Sequence, residues 1–355
     1  MLDCWRVAGI TPVFTGSNSA AIHRMAPAGL SMPAAWTRCG WVSAMLWPAA
    51  ALFGAAVALR RASYRRGWLA SVRAGAPVVV IGNISVGGTG KTPMTGWLAD
   101  RLVRAGRIPA IVSRGYAGRR QAVPVRVAPG SDAAEVGDEP VMLAQQAGCP
   151  VWVCVDRARA ALKAAEEGAE LILSDDGLQH YRMGRDLEFC VIDGGRGLGN
   201  GRLLPAGPLR EPARRLAEVD EVLVQGVPGE FRGLGFELRI DHAVPLGGTG
   251  RRSLEEFAGQ KVLALAGIGA PERFHAALRS AGLDVVPAPV PDHGRMALDR
   301  LLARGLPVLM TAKDAVKYPG VSADNLWWVP ARVVMPEHSA KKILGHVLGL
   351  LDKGN

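Results

Sequence analysis

The stretch Ser85-Val86-Gly87-Gly88-Thr89-Gly90-Lys91-Thr92 decides the fold of this 355-residue chain. It follows a short apolar run at 77–81 and precedes an amphipathic pattern that begins near Pro93. A glycine-rich turn between a buried strand and a helix lets backbone amides point inward, where the helix N-terminus adds partial positive charge. In such a loop the lysine reaches phosphate oxygens and the Thr92 hydroxyl binds Mg²⁺. The sequence therefore predicts that residues 85–92 bind the phosphates of a nucleotide, although Ser85 replaces the usual first glycine.

The apolar runs around this loop have the rhythm of a parallel α/β sheet. Strands are predicted at 77–81, 109–112, 151–155, 170–173, 188–192 and 221–224, with helices between them, notably at 94–105 and 140–146. After a polar, glycine-rich stretch a second series begins, with strands at 261–266, 284–287, 307–311 and 326–329 and helices at 271–281 and 296–304.

These patterns predict an α/β fold with a P-loop NTPase-like parallel sheet, helices on both of its faces, and a smaller C-terminal α/β domain. Alternating apolar residues at 231–240 predict an antiparallel connection between the two parts. The predicted organisation is a poorly defined extension (1–35), a membrane-associated basic and apolar segment (36–75), a P-loop core (76–226), a β-linker (227–255) and a C-terminal domain (256–355).

Positive charge is concentrated at the start of the chain. Of the net charge of +10, residues 1–75 carry +7, from eight arginines and one acid, and they also hold five of the nine tryptophans. No motif for reading nucleic-acid bases is present, and arginine with tryptophan beside an apolar run is typical of a membrane interface.

The five cysteines form no C-x-x-C pair, which favours a reducing compartment over disulfides or zinc.

An uncharged segment of 21 residues, 39–59, separates Arg38 from Arg60. This is about the ~20 residues that a helix needs to cross a bilayer, but Pro48 and many alanines weaken a straight spanning helix. Spanning and shallow insertion both remain open, and a buried core helix or a signal peptide cut near 56–58 are further alternatives. Because an arginine cluster follows the apolar run, the positive-inside rule places the rest of the chain on the cytoplasmic face.

An acidic pair follows the predicted strand at 170–173. Asp175 and Asp176 occupy the place at which P-loop proteins carry an acid that holds Mg²⁺ directly or through water. Paired acids at a turn are often only solvated caps. The phosphate-binding loop earlier in the chain favours the metal-binding interpretation here.

Further blocks of sequence, taken in order, resemble the tetraacyldisaccharide 4'-kinase (lipid A 4'-kinase) family. The resemblance runs from about residue 36 to about residue 340. The blocks that carry it, besides the loop itself, are Ser113-Arg114-Gly115-Tyr116, Gly137-Asp138-Glu139-Pro140, Asp175-Asp176-Gly177-Leu178-Gln179-His180, Leu204-Pro205-Ala206-Gly207-Pro208-Leu209-Arg210-Glu211-Pro212, Ala266-Gly267-Ile268-Gly269, Pro271-Glu272-Arg273-Phe274, Pro291-Asp292-His293 and Lys313-Asp314-Ala315-Val316-Lys317.

The resemblance implies transfer of a phosphoryl group from ATP, with Mg²⁺, to the 4'-hydroxyl of an acylated disaccharide phosphate lipid, a lipid A precursor, at the cytoplasmic face of the inner membrane. It implies no nucleic-acid partner and no obligate protein partner. An anionic sugar phosphate also accounts for basic charge better than nucleic acid does.

The resemblance also implies roles for particular residues. Asp138 is the expected acceptor of the hydroxyl proton, assisted by His293, with Lys91 as the third catalytic group. Glu139 is expected to join Thr92, Asp175 and Asp176 at the metal. The expected substrate-binding residues are Arg114, Arg157, Gln179, His180, Arg210 and Glu211. Structural roles, a helix cap for Asp138 and an interdomain contact for His293, remain the alternatives.

Two other classes of protein remain open from the residues alone. One is a membrane-surface P-loop ATPase switch of the partition or metallochaperone type, which would hydrolyse ATP without a lipid acceptor. Its signature lysine is replaced by Val86, which speaks against it. The other is a basic membrane-binding module without enzymatic activity, in which Lys91 would be dispensable.

Overall fold

A computed structural model describes residues 34–227, 229 and 231–352 of the chain. The predicted extension at 1–35 lies almost wholly outside the described residues. The described strands are β1 (Val78–Gly82), β2 (Pro109–Ser113), β3 (Val125–Val127), β4 (Val151–Val153), β5 (Leu171–Asp175), β6 (Leu187–Asp193), β7 (Glu221–Gln225), β8 (Leu234–Arg239), β9 (His242–Pro245), β10 (Arg252–Ser253), β11 (Lys261–Leu265), β12 (Asp284–Ala288), β13 (Val308–Thr311), β14 (Leu326–Val329) and β15 (Arg332–Val334).

The helices lie mostly between these strands, as the alternating pattern predicts. They are α1 (Ala34–Thr37), α2 (Trp41–Met45), α3 (Trp47–Arg65), α4 (Lys91–Arg104), α5 (Ala133–Val136), α6 (Asp138–Gln146), α7 (Arg157–Glu166), α8 (Pro271–Ser280), α9 (Leu298–Leu302), α10 (Ala312–Ala315) and α11 (Glu337–Asp352).

Nine strands form the first sheet, in the order β15-β8-β7-β6-β1-β5-β2-β4-β3. The seven strands from β8 to β4 run parallel, and the two edge strands, β15 and β3, are antiparallel to their neighbours. The phosphate-binding loop follows β1 near the middle of this sheet. Its ligand therefore lies at the carboxyl ends of β1 and its neighbours, where open α/β sheets bind ligands.

Both faces of the first sheet are covered, which explains why its strands read as continuous apolar runs. All five residues of β1 are buried. Val79 and Ile81 pack on one face with the buried side of α4, while Val78 and Val80 pack on the other face against alanines of α7. The predicted α/β fold with helices on both faces is confirmed.

Six strands form the second sheet, in the order β10-β9-β14-β13-β11-β12. The four strands β11 to β14 are parallel, and β9 and β10 extend the sheet with antiparallel pairings. Helix α8 packs on one face with Phe274 and Leu278, and α9 packs on the other with Leu301.

The chain passes between the two sheets differently from the predicted division at 227–255 and 256–355. Strand β8, predicted as part of an antiparallel linker, pairs parallel with β7 in the first sheet, whereas β9 belongs to the second. At the C-terminal end β15 pairs with β8, and α11 buries Ile343 and Val347 in the core of the first sheet. The correction at the C-terminal end follows from long-range pairing, which strand patterns do not specify.

The N-terminal helices α2 and α3 pack on the loop at 203–206. The Ser43 hydroxyl, buried, donates to the Ala206 carbonyl at 2.7 Å, and Ala50 is buried. Among the large apolar side chains that α2 and α3 expose, four are here called the N-terminal apolar surface: Trp41, Met45, Trp47 and Leu52, exposed by 59–75%. Within the described residues, no helix combines the length and the apolar character needed to cross a membrane.

Candidate active site

The phosphate-binding loop has the geometry that its glycines predict. Gly87 has φ of 105° and Gly90, directly before α4, has φ of 89°. Both angles lie in the left-handed region, which glycine adopts without the steric cost of a Cβ atom. The Val86 amide donates to the Pro208 carbonyl at 2.9 Å and so ties the loop to the 204–212 segment. The α4 N-terminus therefore begins directly at a glycine-rich loop whose conformation its glycines permit.

Asp175 lies at the carboxyl end of β5, beside the first turn of α4. Its Oδ2 accepts from the Thr92 hydroxyl at 3.1 Å and its Oδ1 accepts from the Thr95 hydroxyl at 3.0 Å. Burial, with the nearby charge of Glu139, raises the pKa of Asp175 to about 7. The positive charge of Lys91 acts in the opposite direction but does not cancel this shift, and a divalent ion would favour the charged form of the carboxyl further.

The residues present fit the implied Mg²⁺. Thr92 and Asp175 are the side chains that would hold it, and Asp176 and Glu139 add negative charge beside them. Among the described residues, no three or more His, Cys, Asp or Glu side chains are grouped so that they alone could hold a metal ion. Because Mg²⁺ usually takes one or two carboxylates together with phosphate oxygens and water, this donor set suits a nucleotide-bound ion.

Asp176 is surrounded by positive charge. Its Oδ2 lies 3.8 Å from the Lys91 Nζ, and both carboxylate oxygens accept from the Arg210 Nη1 at 3.1 Å. Burial acts in the opposite direction, but the charges of Lys91, Arg210 and Arg157 together lower the pKa of Asp176. The structure thus brings the predicted lysine, acid pair and Arg210 into one cluster beside the phosphate loop.

Arg157 is a buried cation near that cluster. Burial lowers the pKa of Arg157, and the charges of Asp176 and Asp175 work against that shift. Among the described residues, no acceptor reaches its buried Nε atom. A guanidinium with unfilled hydrogen-bonding capacity suits an anionic group of a substrate.

Two other predicted substrate-binding residues, Gln179 and Glu211, form a network beside Arg210, and a third, His180, lies outside it. The Gln179 Nε2 donates to Glu211 at 2.7 Å and to the Asn83 carbonyl at 2.9 Å. Glu211 is fully buried and also accepts from the Tyr181 hydroxyl at 2.5 Å, so its contacts favour a role in holding Gln179. His180 contacts Asp156 at 3.3 Å, and burial lowers the pKa of His180 to about 4.

Arg114 lies apart from this network. It is exposed and directly follows β2 at the carboxyl edge of the first sheet. Its charge acts on Arg157, which places it on the same side of the site. The assignment of these residues to substrate binding stays a prediction.

Asp138 occupies the N-terminus of α6 and is only 6% exposed. Its Oδ2 lies 3.1 Å from the Nδ1 of His293, which comes from the second sheet, and 3.7 Å from the Nζ of Lys317. The next residue, Glu139, acts electrostatically on both Lys91 and Asp175. The pair that the sequence predicted is therefore assembled across the two sheets, facing the phosphate loop.

Two lysines lie beside the Asp138–His293 pair, and the sequence analysis gave neither of them a role. Lys317 is held by Asp314 at 2.8 Å, and Lys313 lies 3.1 Å from the Nε2 of His293. The ring of Tyr116 meets the His293 ring edge-on, with centroids 5.2 Å apart. The signal was present in the block at 313–317, where two lysines four residues apart share one side of a helical turn.

The fold and this constellation define a P-loop nucleotide-binding protein with an acid–histidine pair opposite the phosphate loop. Comparison with known families is specific: residues 42–348 match the model of the tetraacyldisaccharide-1-P 4'-kinase family. The chain belongs to that family.

Individual relatives agree with this assignment. The chain is 48% identical over 316 residues to the tetraacyldisaccharide 4'-kinase of Alkalilimnicola ehrlichii, covering 88% of this chain and 95% of that protein. It is 46% identical to the corresponding enzyme of Halorhodospira halophila, covering 86% and 93%. A crystal structure of LpxK from Aquifex aeolicus in complex with ATP is similar, with a TM-score of 0.74, 26% identity and coverage of 87% of this chain and 99% of that one.

Proposed function

We propose that this chain phosphorylates the 4'-hydroxyl of a tetraacyl disaccharide 1-phosphate, using ATP, in lipid A biosynthesis. The observation that carries the proposal is the buried Asp138, held by His293 and Lys317 opposite a phosphate-binding loop in a member of this kinase family. A switch that only hydrolyses ATP has no need of an acid–histidine pair to receive a sugar hydroxyl proton, so the family match and the pair both favour the kinase.

The reaction requires an in-line attack and a group that takes the hydroxyl proton. In the proposed mechanism the 4'-oxygen attacks the γ-phosphorus, a new P–O bond forms, and the bond to the bridging oxygen of ADP breaks. The Asp138 carboxylate accepts the proton, while His293 orients it. Lys91 supplies positive charge against the phosphate oxygens.

Mg²⁺, when bound, adds positive charge against the phosphate oxygens. Thr92 and Asp175 are the proposed ligands, for the reasons of burial and hydrogen bonding given above. Arg157, Arg210 and Arg114 are proposed to meet the anionic group of the lipid, because planar guanidinium groups suit phosphate oxygens.

We place the enzyme at the cytoplasmic surface of the inner membrane. The N-terminal apolar surface presents two tryptophans, and exposed arginines of the same segment follow it in sequence: Arg60, Arg65 and Arg66. Tryptophan favours the interfacial region of a bilayer and arginine favours anionic headgroups. This arrangement supports delivery of an acylated substrate to the site from the lipid phase.

The test is transfer of ³²P from [γ-³²P]ATP to the tetraacyl disaccharide 1-phosphate in detergent micelles with Mg²⁺. We expect labelled lipid from the intact protein and a loss of about 100-fold or more for Lys91→Ala, because Lys91 neutralises phosphate charge. Lys163→Ala, at a half-exposed lysine of α7, is the matched control and should leave transfer unchanged.

Two outcomes would count against the proposal. One is folded protein that transfers no label to the lipid. The other is ATP hydrolysis that proceeds equally with and without lipid, which would support the ATPase switch instead.

A further inference from the structure

Asp193 forms a buried ion cluster that the proposed mechanism does not use. It is the last residue of β6, beside the strand that leads to the phosphate loop, and it is 2% exposed. Its Oδ1 accepts from the backbone amides of Gly195 at 3.0 Å and Arg196 at 3.1 Å, and from the Arg273 Nη2 at 2.7 Å. Its Oδ2 lies 3.6 Å from the Arg196 Nε. One carboxylate thus serves two arginines.

Arg273 reaches this cluster from the second sheet. It lies in α8, and besides Asp193 its Nη1 donates to the Gln225 side chain, at the carboxyl end of β7, at 2.8 Å. These charge-assisted hydrogen bonds join α8 to the ends of two neighbouring strands of the first sheet. The loop at 266–270 directly precedes α8. The contacts of Arg273, which fix the position of α8, therefore also fix the position of this loop.

Arg196 links the same carboxylate to the phosphate loop. A Cβ atom on Gly87 would lie 3.0 Å from its Nη1, so the guanidinium rests against that glycine. Its Nη2 donates to the Gly269 carbonyl at 3.2 Å, and a Cβ atom on Gly269 would lie 3.5 Å from the Gly88 nitrogen. The 266–270 loop therefore lies against the phosphate loop at Gly88, and Arg196 bridges the two loops by contacting both Gly87 and Gly269.

The same loop supports the catalytic histidine. The Gly267 carbonyl accepts from the His293 amide at 3.4 Å, and the Gly267 amide donates to Asp314 at 2.9 Å. His293 in turn contacts Asp138. A continuous set of contacts therefore runs from Asp193 through the loop to the Asp138–His293 pair.

We propose that Arg273 and Arg196, joined through Asp193, form a clasp that positions the 266–270 loop on the phosphate loop and thereby holds His293 on Asp138 when nucleotide is bound. Arg273 is a positioning residue, since it contacts neither the reacting atoms nor the phosphate loop. The inference rests on the proposed kinase function and adds residues to it that the phosphate-loop and acid-pair motifs do not include.

Hydrogen–deuterium exchange of the full-length protein, with and without a non-hydrolysable ATP analogue, tests the clasp. In the wild type, we expect the analogue to protect peptides covering 85–92, 266–270 and 291–294. In Arg273→Gln, protection of 85–92 should remain, whereas protection at 266–270 and 291–294 should be lost. Arg273→Lys keeps the charge and should restore part of the protection.

Kinetics provide the second measurement. Loss of a charge-assisted hydrogen bond should reduce the clasped population and hence kcat by about tenfold or more, while the KM for ATP changes by less than about threefold. Arg279→Gln removes the same charge from an exposed position of α8 and is the matched control. Because Arg273 is 41% exposed, its replacement should leave the fold intact, which a thermal melt checks.

The outcomes separate the clasp from the function on which it rests. Equal protection and equal kcat in Arg273→Gln and wild type would overturn the clasp and leave the kinase proposal standing. Loss of protection at 85–92 as well would mean that Arg273 acts on nucleotide binding itself, which also overturns it. A wild type in which the analogue protects none of these peptides would overturn the proposed function, and the clasp with it.

Discussion

The backbone conformation of one residue, Gly137, places the functional side chain of Asp138. Gly137, directly before it, has φ of 95°, and a Cβ atom there would lie 2.6 Å from the Tyr116 carbonyl. Only glycine fits this approach, and it allows α6 to begin with the acid at its N-terminus, where the helix dipole favours a carboxylate. The motif Gly-Asp-Glu-Pro therefore specifies the backbone conformation at Gly137 as well as the carboxylate at Asp138.

Replacement of Asp138 by Asn tests its role as the proton acceptor. The amide keeps the shape of the side chain but cannot take the proton, so kcat should fall by ~10²- to 10⁴-fold. Nucleotide binding should change little, because the phosphate loop is intact. Steady-state transfer to the lipid and binding of a fluorescent ATP analogue measure the two effects.

Asp324→Asn, at an exposed acid in the loop before β14, is the control for Asp138→Asn. It removes the same charge far from the pair and should leave kcat unchanged. A kcat within a few-fold of wild type for Asp138→Asn would remove Asp138 from the reaction. His293→Gln should also lower kcat, and the double variant should lose less than the product of the two effects, since the residues act as a unit.

At the scale of elements, the β1–loop–α4 unit is the part that local sequence specifies most fully. A buried run of β-branched residues, three loop glycines and an amphipathic helix each favour the same arrangement. The N-terminal helices α2 and α3 are different. Several of their large apolar side chains are left uncovered by the described fold, a feature that local sequence does not explain.

The N-terminal apolar surface is expected to bind lipid bilayers. Replacing Trp41, Met45 and Trp47 together by Ser removes most of its exposed apolar area and should weaken binding to anionic vesicles by about tenfold or more. Turnover of the lipid should fall with it, while affinity for nucleotide stays unchanged. Cosedimentation with vesicles and nucleotide titration are the measurements.

Val123→Ser is the control for the membrane variant. Val123 is 57% exposed in the loop before β3, away from the N-terminal helices, and its replacement should not affect vesicle binding. If the triple variant bound vesicles as tightly as the wild type, the bilayer contact would have to be sought elsewhere in the chain.

At the scale of the whole molecule, the C-terminal segment returns to the first sheet. After crossing the second sheet, the chain adds β15 to the edge of the first and packs α11 against α4 and its neighbours. The two sheets are therefore joined by two passages of the chain, at β8–β9 and β14–β15. Such a double connection limits how the sheets can separate and suits a site assembled between them.

Deletion of residues 337–355 tests the structural role of α11. The deletion should expose the core surface that Ile343 and Val347 cover, and the cost of uncovering several large apolar side chains is about 1.5–3 kcal/mol each. We expect a lower midpoint of thermal unfolding, or loss of a cooperative transition, measured by circular dichroism. Lys341→Ala, exposed on α11, should change the free energy of unfolding by less than about 0.5 kcal/mol. An unchanged melt for the deletion would contradict the role.

The residues of the candidate site fall into two groups, those that the sequence revealed and those that only the structure revealed. The phosphate loop and the acid pair were readable because each lies in a short block whose residue types serve one chemistry, whereas the roles of Asp138 and His293 came from the family resemblance. Asp193 was not readable, since its importance comes from Arg273, 80 residues away in the chain. Lys317 showed only its spacing from Lys313, because its partner Asp138 lies 179 residues away. A single lysine or aspartate carries no local sign of such a partner.

The sequence by itself determined the phosphate-binding loop, the alternating strands and helices, the buried faces of the first sheet and the family to which the chain belongs. These depend on residue types a few positions apart, which fix local backbone geometry and burial. The tertiary structure alone decided that β8 and β15 join the first sheet, that α11 completes its core, and that Arg273 reaches Asp193. Those contacts bring together residues far apart in the chain, and their free energy exists only when both surfaces are already folded and facing each other.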